Sequence, residues 1–526
     1  MKAWAAALLL SASVSAAAWA QTDSADRALL DAVKANESEA ALEAVRQRGV
    51  NVDLREPDGS TALLYATHNE DLELVRQLIR RDANVNAVND YGVSPLQEAA
   101  SVGNAELIDI LLKAGADVES RNHEGQTALM AVARTGRADA ARILIDAGAD
   151  VNAAENWGGQ TALMWAAAQG QADMIRLLIE AGADPNAQAP ARDWVRLTSE
   201  PRIKEMFSGG FTPLIYAARQ GCAECVQALI DGGADPDKAD PEGVTPLIAA
   251  LLNAHFAAAA ALVERGADVN KWDWWGRTPL YAAADLNITP NGARADLPST
   301  DTVTGVDIAR MLIERGADVN IRLKNTPPPR NIVFDRGADD RALTTGATPL
   351  LRAAYGGDLE MMQLLLENGA RYDIPNSNGL TPFAAAAGDG GTRGANKTEA
   401  VVVQAMDMLL AAGADVNEAG AGGQIPLHSA VRSNQMEVVR FLIGKGGDLQ
   451  AKDARGLIPR DYATGRADQL GFGGNNVVGL LPEMADLVEN AMREQGIPVP
   501  PREAPLTTEE LIAAGRGQVT SGLASN

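Results

Sequence analysis

The residues from which active sites are usually built are scarce in this chain. It has two cysteines and four histidines in 526 residues. None of His68, His123, His255 and His428 lies in a Gly-x-Ser-x-Gly, His-Glu-x-x-His or phosphate-loop context. A nucleophilic or metal hydrolase would have to be assembled from scattered loops, and Cys222-x-x-Cys225 has no second pair with which to complete a zinc site. Aromatics make up only 4% of the residues, which suits thin, closely stacked helices better than a thick globular core. Past the N-terminus no apolar run can span a bilayer, since the stretch Ala249 to Val263 is short and interrupted by Asn253 and His255. Positive charge is also in deficit, with 46 Lys and Arg against 69 Asp and Glu and a net charge of −23. Such a field repels phosphate backbones and anionic lipid, so neither nucleic acid nor a membrane surface is an expected partner.

The N-terminus departs from this polarity. Lys2 precedes an apolar stretch through Leu8, Leu9, Leu10 and Val14, and Ala18-Trp19-Ala20 stands before Gln21. This is the pattern of a secretory signal peptide over residues 1–20, ending in a small-x-small cleavage site. The stretch is too short for an anchor, and no cysteine follows to carry a lipid. An exported protein with no membrane insertion after cleavage is expected, its net charge moving to −24 with the loss of Lys2.

What the chain has in abundance is period. A glycine, usually followed two places on by Thr-Ala-Leu or Thr-Pro-Leu, recurs at Gly59, Gly92, Gly125, Gly159, Gly210, Gly243, Gly276, Gly346, Gly379, Gly423 and Gly456, and six of the ten steps are 33 residues. Gly-Ala-Asp follows 23 residues later in unit after unit. Self-similarity of this kind means a solenoid, read as one elongated domain.

The unit from His123 to Glu155 shows why each repeat folds. Thr127 is an N-cap for a short helix rich in Ala128, Ala131 and Ala133, small enough for neighbouring helices to approach. A second helix carries Ala140, Ile143, Leu144 and Ala147 at the spacing of one apolar stripe. Gly148 ends it, and Asp150 and Asn152 open a polar turn.

Thr212-Pro213-Leu214, Ala217-Ala218, Gly221, Leu229 and Gly233-Ala234-Asp235, with their copies over roughly residues 57–465, resemble the ankyrin repeat. The resemblance implies an all-α ankyrin-repeat solenoid of about eleven to twelve helix pairs with hairpin-like fingers and a concave face, and a role in protein binding. Within the family the chain is similar to exported bacterial members. Residues 21–56 read as an N-terminal capping repeat, 466–497 as a C-terminal capping region with a helix from Leu480 to Glu494, and 498–526 as a flexible tail with a Thr507-x-x-Glu510 box.

Four insertions break the period, near residues 190–208, 287–305, 324–344 and 388–398. The first and third lengthen fingers, and carry Trp194 and Phe207 in one and Arg330, Phe334 and Arg336 in the other. Between them stands Lys271-Trp272-Asp273-Trp274-Trp275-Gly276, with Trp157 at the equivalent turn of an earlier unit. These nine residues (Trp157, Trp194, Phe207, Trp272, Trp274, Trp275, Arg330, Phe334 and Arg336) are the candidate protein-contact surface, since tryptophan and arginine anchors dominate interface energies. The alternative is that the rings pack sideways and meet no partner. Cys222 and Cys225 read first as structural thiols, with a possible disulfide and a redox pair as alternatives.

The expected function is an exported scaffold or accessory factor, without cofactor or metal, monomeric, that presents its concave surface to a periplasmic protein. The alternatives are an enzyme with a site built from the inserted loops, and a secreted effector that binds host proteins.

Overall fold

A computed structural model of the chain describes residues 25–196, 204–287, 301–325, 344–388, 397–420, 422–464 and 481–502. Within them the chain forms twelve helix pairs, beginning with residues 25–34 and Ser38–Arg46 and ending with Pro459–Ala463 and Pro482–Glu494. The signal segment 1–20 and the Thr507 to Glu510 box lie outside the described residues. The chain divides into two compact units, Met1–Ala267 and Asp268–Asn526, where the period alone suggests one domain. In a repeat array each pair packs chiefly on its neighbours.

The first helix of most pairs starts at a hydroxyl, the exceptions including those that begin after Ile425 and Ile458. Thr61, Thr127, Thr161, Thr212 and Thr245 each accept a hydrogen bond from the backbone amide three residues on, as do Thr348 and Thr381 later in the chain. Behind the cap, Ala128, Leu129, Met130, Val132 and Ala133 are buried. In the second helix the buried stripe is Ala140, Ala141 and Leu144, while Ile143 is half-buried and Ala147 exposed. The stripe is thus rotated from the set that spacing alone suggests, because this helix packs against its own first helix and against the second helices on both sides. It ends at a glycine in the left-handed region, φ 93° at Gly148, Gly182 and Gly233, where any side chain would be strained.

The polar turn after that glycine does more than turn. Asn152 Oδ1 accepts from the amide of Asp184 at 2.8 Å, and its Nδ2 donates to the carbonyl of Gly182 at 3.0 Å, one repeat further on. Asn86 and Asn186 make the same two bonds in the first unit, and Asn270, Asn320 and Asn417 make them in the second. Glu119 occupies this position in one repeat and makes only the bond from Asp150 N, because a carboxylate has no hydrogen to give Gly148.

The fingers close on a second side-chain rule. The residue three before the glycine marker accepts from the amides across its own turn: Asn89 Oδ1 from Tyr91 and Val93, Asp240 Oδ1 from Glu242 and Val244, Asp453 Oδ1 from Arg455 and Leu457. In the first insertion, β1 (Ala191–Arg196) and β2 (Lys204–Gly209) pair antiparallel with Ala191 opposite Gly209, so this finger is a β-hairpin. The parts of the other insertions numbered 288–300, 326–343 and 389–396 lie outside the described residues.

At the C-terminal end, Pro482–Glu494 packs on Pro459–Ala463. Glu489 and Arg460 are both buried and paired at 2.9 Å, and Arg502 adds a second guanidinium to Glu489 at 2.9 Å. Arg460 also donates to the carbonyl of Pro500 at 2.8 Å. Residues 498–502, assigned to a tail on proline content alone, are thus tied down by the need to satisfy a buried carboxylate, and residues 503–526 lie outside the described residues. Hydrogen bonds from Arg502 and then Arg460 outweigh burial and hold the Glu489 carboxyl below its usual range.

His428 replaces the cap hydroxyl from the other side. Its Nδ1 accepts from Ile425 N and its Nε2 donates to Leu457 O, both at 3.1 Å. Gln97 does the same work in an earlier repeat, accepting from Ser94 N and donating to Gln126 O. Burial lowers the His428 imidazole below its ordinary value of 6.5.

Two outcomes follow. Glu119→Asn should supply the missing donor and raise stability by about 0.5–1 kcal/mol, with slower amide exchange over residues 148–152; unchanged exchange there would count against the bridging role. For His428, the unfolded chain takes up a proton as pH falls below 6.5 while the folded chain resists, so stability present above that pH is lost toward the depressed native value. His428→Gln should keep the bonds and remove that loss, seen as a flatter dependence of the denaturation midpoint between neutral and mildly acid pH.

Candidate protein-docking surface

In the first unit the first helices share a column of partly buried positions. It lies four residues after each cap, at Tyr65, Glu98, Ala131, Trp165 and Tyr216, each only partly buried between fully buried neighbours. Three of these five are aromatic, and Phe211 joins them, its ring edge-on to Tyr216 at 5.6 Å. Gln160 Nε2 donates to Tyr216 Oη at 2.6 Å, which fixes that ring. The buried indole nitrogen of Trp165 has no acceptor among the described residues. Two exposed arginines border the column: Arg134 lies 5.9 Å over the Trp165 ring and Arg219 4.8 Å over Phe211.

The fingertips of the same unit add two more rings. Tyr91 is 67% exposed and Trp157 75% exposed. Trp157 sits on a finger one residue longer than its neighbours, in the 34-residue step between Gly125 and Gly159. Glu155 holds that longer turn by accepting from the amides of Trp157, Gly158 and Gln160. Backbone bonds from His123 N to Tyr91 O and from Asn156 N to Glu124 O link successive fingertips. Trp194 on β1 stands opposite Met206, and Phe207 on β2 opposite Asp193, positions fixed by strand register.

In the second unit the tryptophan turn splits three ways. Trp274 is 64% exposed, Trp272 is 47% exposed with Lys324 Nζ 2.9 Å from its ring centroid, and Trp275 is 2% exposed. Trp275 is therefore core and leaves the candidate surface. Its carbonyl accepts from Lys324 N and Asn325 N, and the turn beneath it is clamped by a buried pair, Asp273 to Arg277 at 2.6 Å. A side chain pinned between its own turn and the next finger cannot reach a partner. Arg330, Phe334 and Arg336 lie outside the described residues.

Cys222 and Cys225 form a disulfide, Cα to Cα 5.2 Å, which corrects the reading as structural thiols. The i, i+3 spacing at the start of helix Ala223–Asp231 brings the two side chains within bonding reach. Tyr91, the open helix column and its two arginines were not among the candidates. The signal of the column was present as aromatic residues four places after the cap in otherwise mostly small and aliphatic first helices, with Arg134 and Arg219 seven places after it.

The family model described as ankyrin repeats in three copies matches residues 29–122, 100–189, 197–273, 214–323 and 350–453. The chain belongs to the ankyrin-repeat family. Among its relatives, the ankyrin repeat and KH domain-containing protein mask-1 of Caenorhabditis elegans is 28% identical over 148 residues, which is 28% of this chain and 5% of that one. Alpha-latrocrustotoxin-Lt1a of Latrodectus tredecimguttatus is 28% identical over 167 residues, 31% of this chain and 10% of the toxin. The ankyrin repeat protein FPV031 of fowlpox virus (strain NVSL) is 27% identical over 163 residues, 30% of this chain and 40% of that one. The matches thus span less than half the length of each of these relatives.

The ankyrin fold implies protein–protein interaction and gives the exposed rings a context. Among the described residues no helix is long and apolar enough to cross a membrane, and no group of three or more His, Cys, Asp or Glu could hold a metal. A depression of about 750 Å³ on the second unit is lined by Leu359, Gln363, Val403, Met408 and Phe441, with an ion pair between Lys445 and Asp407. It offers apolar contact but no nucleophile with a base. Lys397, beside the last insertion, is pushed down to about 8 by burial, yet it donates to the carbonyls of Ala354 and Ala386 at the ends of two first helices. That is a helix-capping role.

The tryptophan turn carries a direct check. Trp275→Ala should cost about 3–5 kcal/mol by opening a core cavity, whereas Trp272→Ala and Trp274→Ala should each stay within about 1 kcal/mol of wild type in chemical denaturation. A mild Trp275→Ala would return that ring to the surface.

Proposed function

We propose that this ankyrin-repeat protein is an exported scaffold or accessory factor that holds a protein partner in the periplasm. The observation that carries the reading is the set of rings exposed without being needed for the core, Trp157 and Tyr91 above all. Large apolar side chains so open to water are a standing cost that an interface removes. They sit on fingertips stiffened by side-chain-to-backbone bonds, so little conformational entropy is lost when a partner covers them. Export is supported by the small-x-small site after the N-terminal apolar stretch. The Cys222 to Cys225 disulfide supports it too, because such bonds persist in oxidising compartments.

The test is photo-crosslinking from a reporter placed at Tyr91 in the full chain, expressed with its own N-terminus in Gram-negative cells and recovered by osmotic shock. A single defined adduct in the periplasmic fraction is expected. The variant Tyr65→Ala with Trp157→Ala, which keeps the reporter, should lose the adduct at unchanged helical content. Retention of the chain in the cytoplasm would overturn the export part. A folded double variant that crosslinks as well as the parent would overturn the docking part.

A further inference from the structure

The open column of the first unit has a charge pattern that runs against the chain as a whole. The molecule carries a net charge of −23, and several arginines on the second helices are ion-paired, Arg76 to Glu106 and Arg176 to Glu224 among them. Arg134 and Arg219 form no ion pair with the described residues; each rests on a ring, Trp165 and Phe211. Glu98, the acid of the column, is hydrogen-bonded by His68 at 2.7 Å. On the fingertip side the exposed charges are of both signs, Asp90 and Glu124 with Arg55 and Arg121, and the two arginines donate to finger carbonyls, Val88 O and Ala154 O. The column therefore presents aromatic surface between two guanidinium groups whose hydrogen-bond donors are unused by carboxylates. A ring beneath a guanidinium leaves its edge free to take a carboxylate in the plane of the fork.

We propose that this column binds an extended acidic segment of a partner protein, with two carboxylates about five or six residues apart and apolar side chains between them. The spacing follows from geometry. Arg134 and Arg219 belong to helices Ala128–Thr135 and Pro213–Gln220, on either side of Ala162–Ala168. Two helix-packing steps of about 8–10 Å each separate them by roughly 16–20 Å. An extended chain rising about 3.3 Å per residue covers that in five or six residues. Between the two ends, Trp165 and Tyr216 offer the apolar floor, and the orphaned indole N–H of Trp165 would gain an acceptor from a bound backbone carbonyl on a small turn of the ring. This rests on the protein-binding reading and narrows it to one surface and one class of ligand.

The test uses the full chain and fluorescein-labelled peptides in which two glutamates six places apart flank a central phenylalanine, with glutamine and lysine versions as comparators. The glutamate peptide should bind about tenfold more tightly than the glutamine peptide at low salt, and the preference should shrink as screening rises. Arg134→Gln together with Arg219→Gln should abolish it, while Arg76→Gln on a second helix should leave it intact. Equal affinity for the three peptides, or a preference that survives in the double arginine variant, overturns the proposal. Crosslinking from position 91 separates this from the broader reading. An adduct that persists at full yield in the double arginine variant but disappears with Tyr65→Ala and Trp157→Ala leaves the scaffold standing and removes the acidic segment. Loss of the adduct in both variants, with the glutamate preference intact in the parent chain, supports both.

Discussion

The molecule depends on a hydrogen-bonded asparagine that, at six of the described junctions, reaches from one repeat to the next. Asn152 and its counterparts hold one neighbouring amide and one neighbouring carbonyl at once, which fixes both the distance and the register of the following pair. Apolar stripes supply most of the free energy of stacking, but they are smooth and would tolerate sliding. A bidentate amide does not. Each bond is exposed and individually small, on the order of 1 kcal/mol, yet it recurs along both units and acts on the only contacts a repeat array possesses. Where Glu119 stands in for asparagine, half of the bridge is absent and the stack is held by packing and one bond.

On that spine the fingers act as stiff brackets. At six of the glycine markers the side chain three residues before binds the amides of its own turn, so the tip is ordered before anything docks on it. What the tip presents then depends on where each residue sits in the turn, since successive turn residues project in different directions. Trp274 and Trp275 are adjacent in sequence, and one is 64% exposed while the other is 2% exposed. The same turn thus supplies a surface ring and a core ring, with the buried Asp273 to Arg277 pair holding them in place.

The functional surface follows from this economy. Repeats need their first helices small where they touch, and that leaves the columns four and seven places after the cap as positions whose identity the stack does not dictate. In the first unit the former column holds Tyr65, Trp165 and Tyr216 with two stacked arginines beside it, and fingertips carrying Tyr91 and Trp157 belong to the same repeats. Residues free of structural duty that are nonetheless large, aromatic or cationic are the places where binding is encoded.

Local chemistry was legible in the sequence because its causes are local. A threonine or serine cap, a glycine with positive φ and an alanine-rich first helix are decided by residues within one turn of each other, and Thr127, Gly148 and Ala133 behave as their types require. The period then fixed the family, since registered copies can satisfy their apolar stripes only by stacking. Tertiary structure decided what depends on partners distant in sequence. It alone buried Trp275 against Lys324 and Asn325, tied Arg502 back to Glu489, and turned Asn152 from a turn residue into a bridge. It also left Arg134 and Arg219 over rings instead of beside carboxylates, because which charges meet is set by the neighbouring repeat and not by the repeat that carries them.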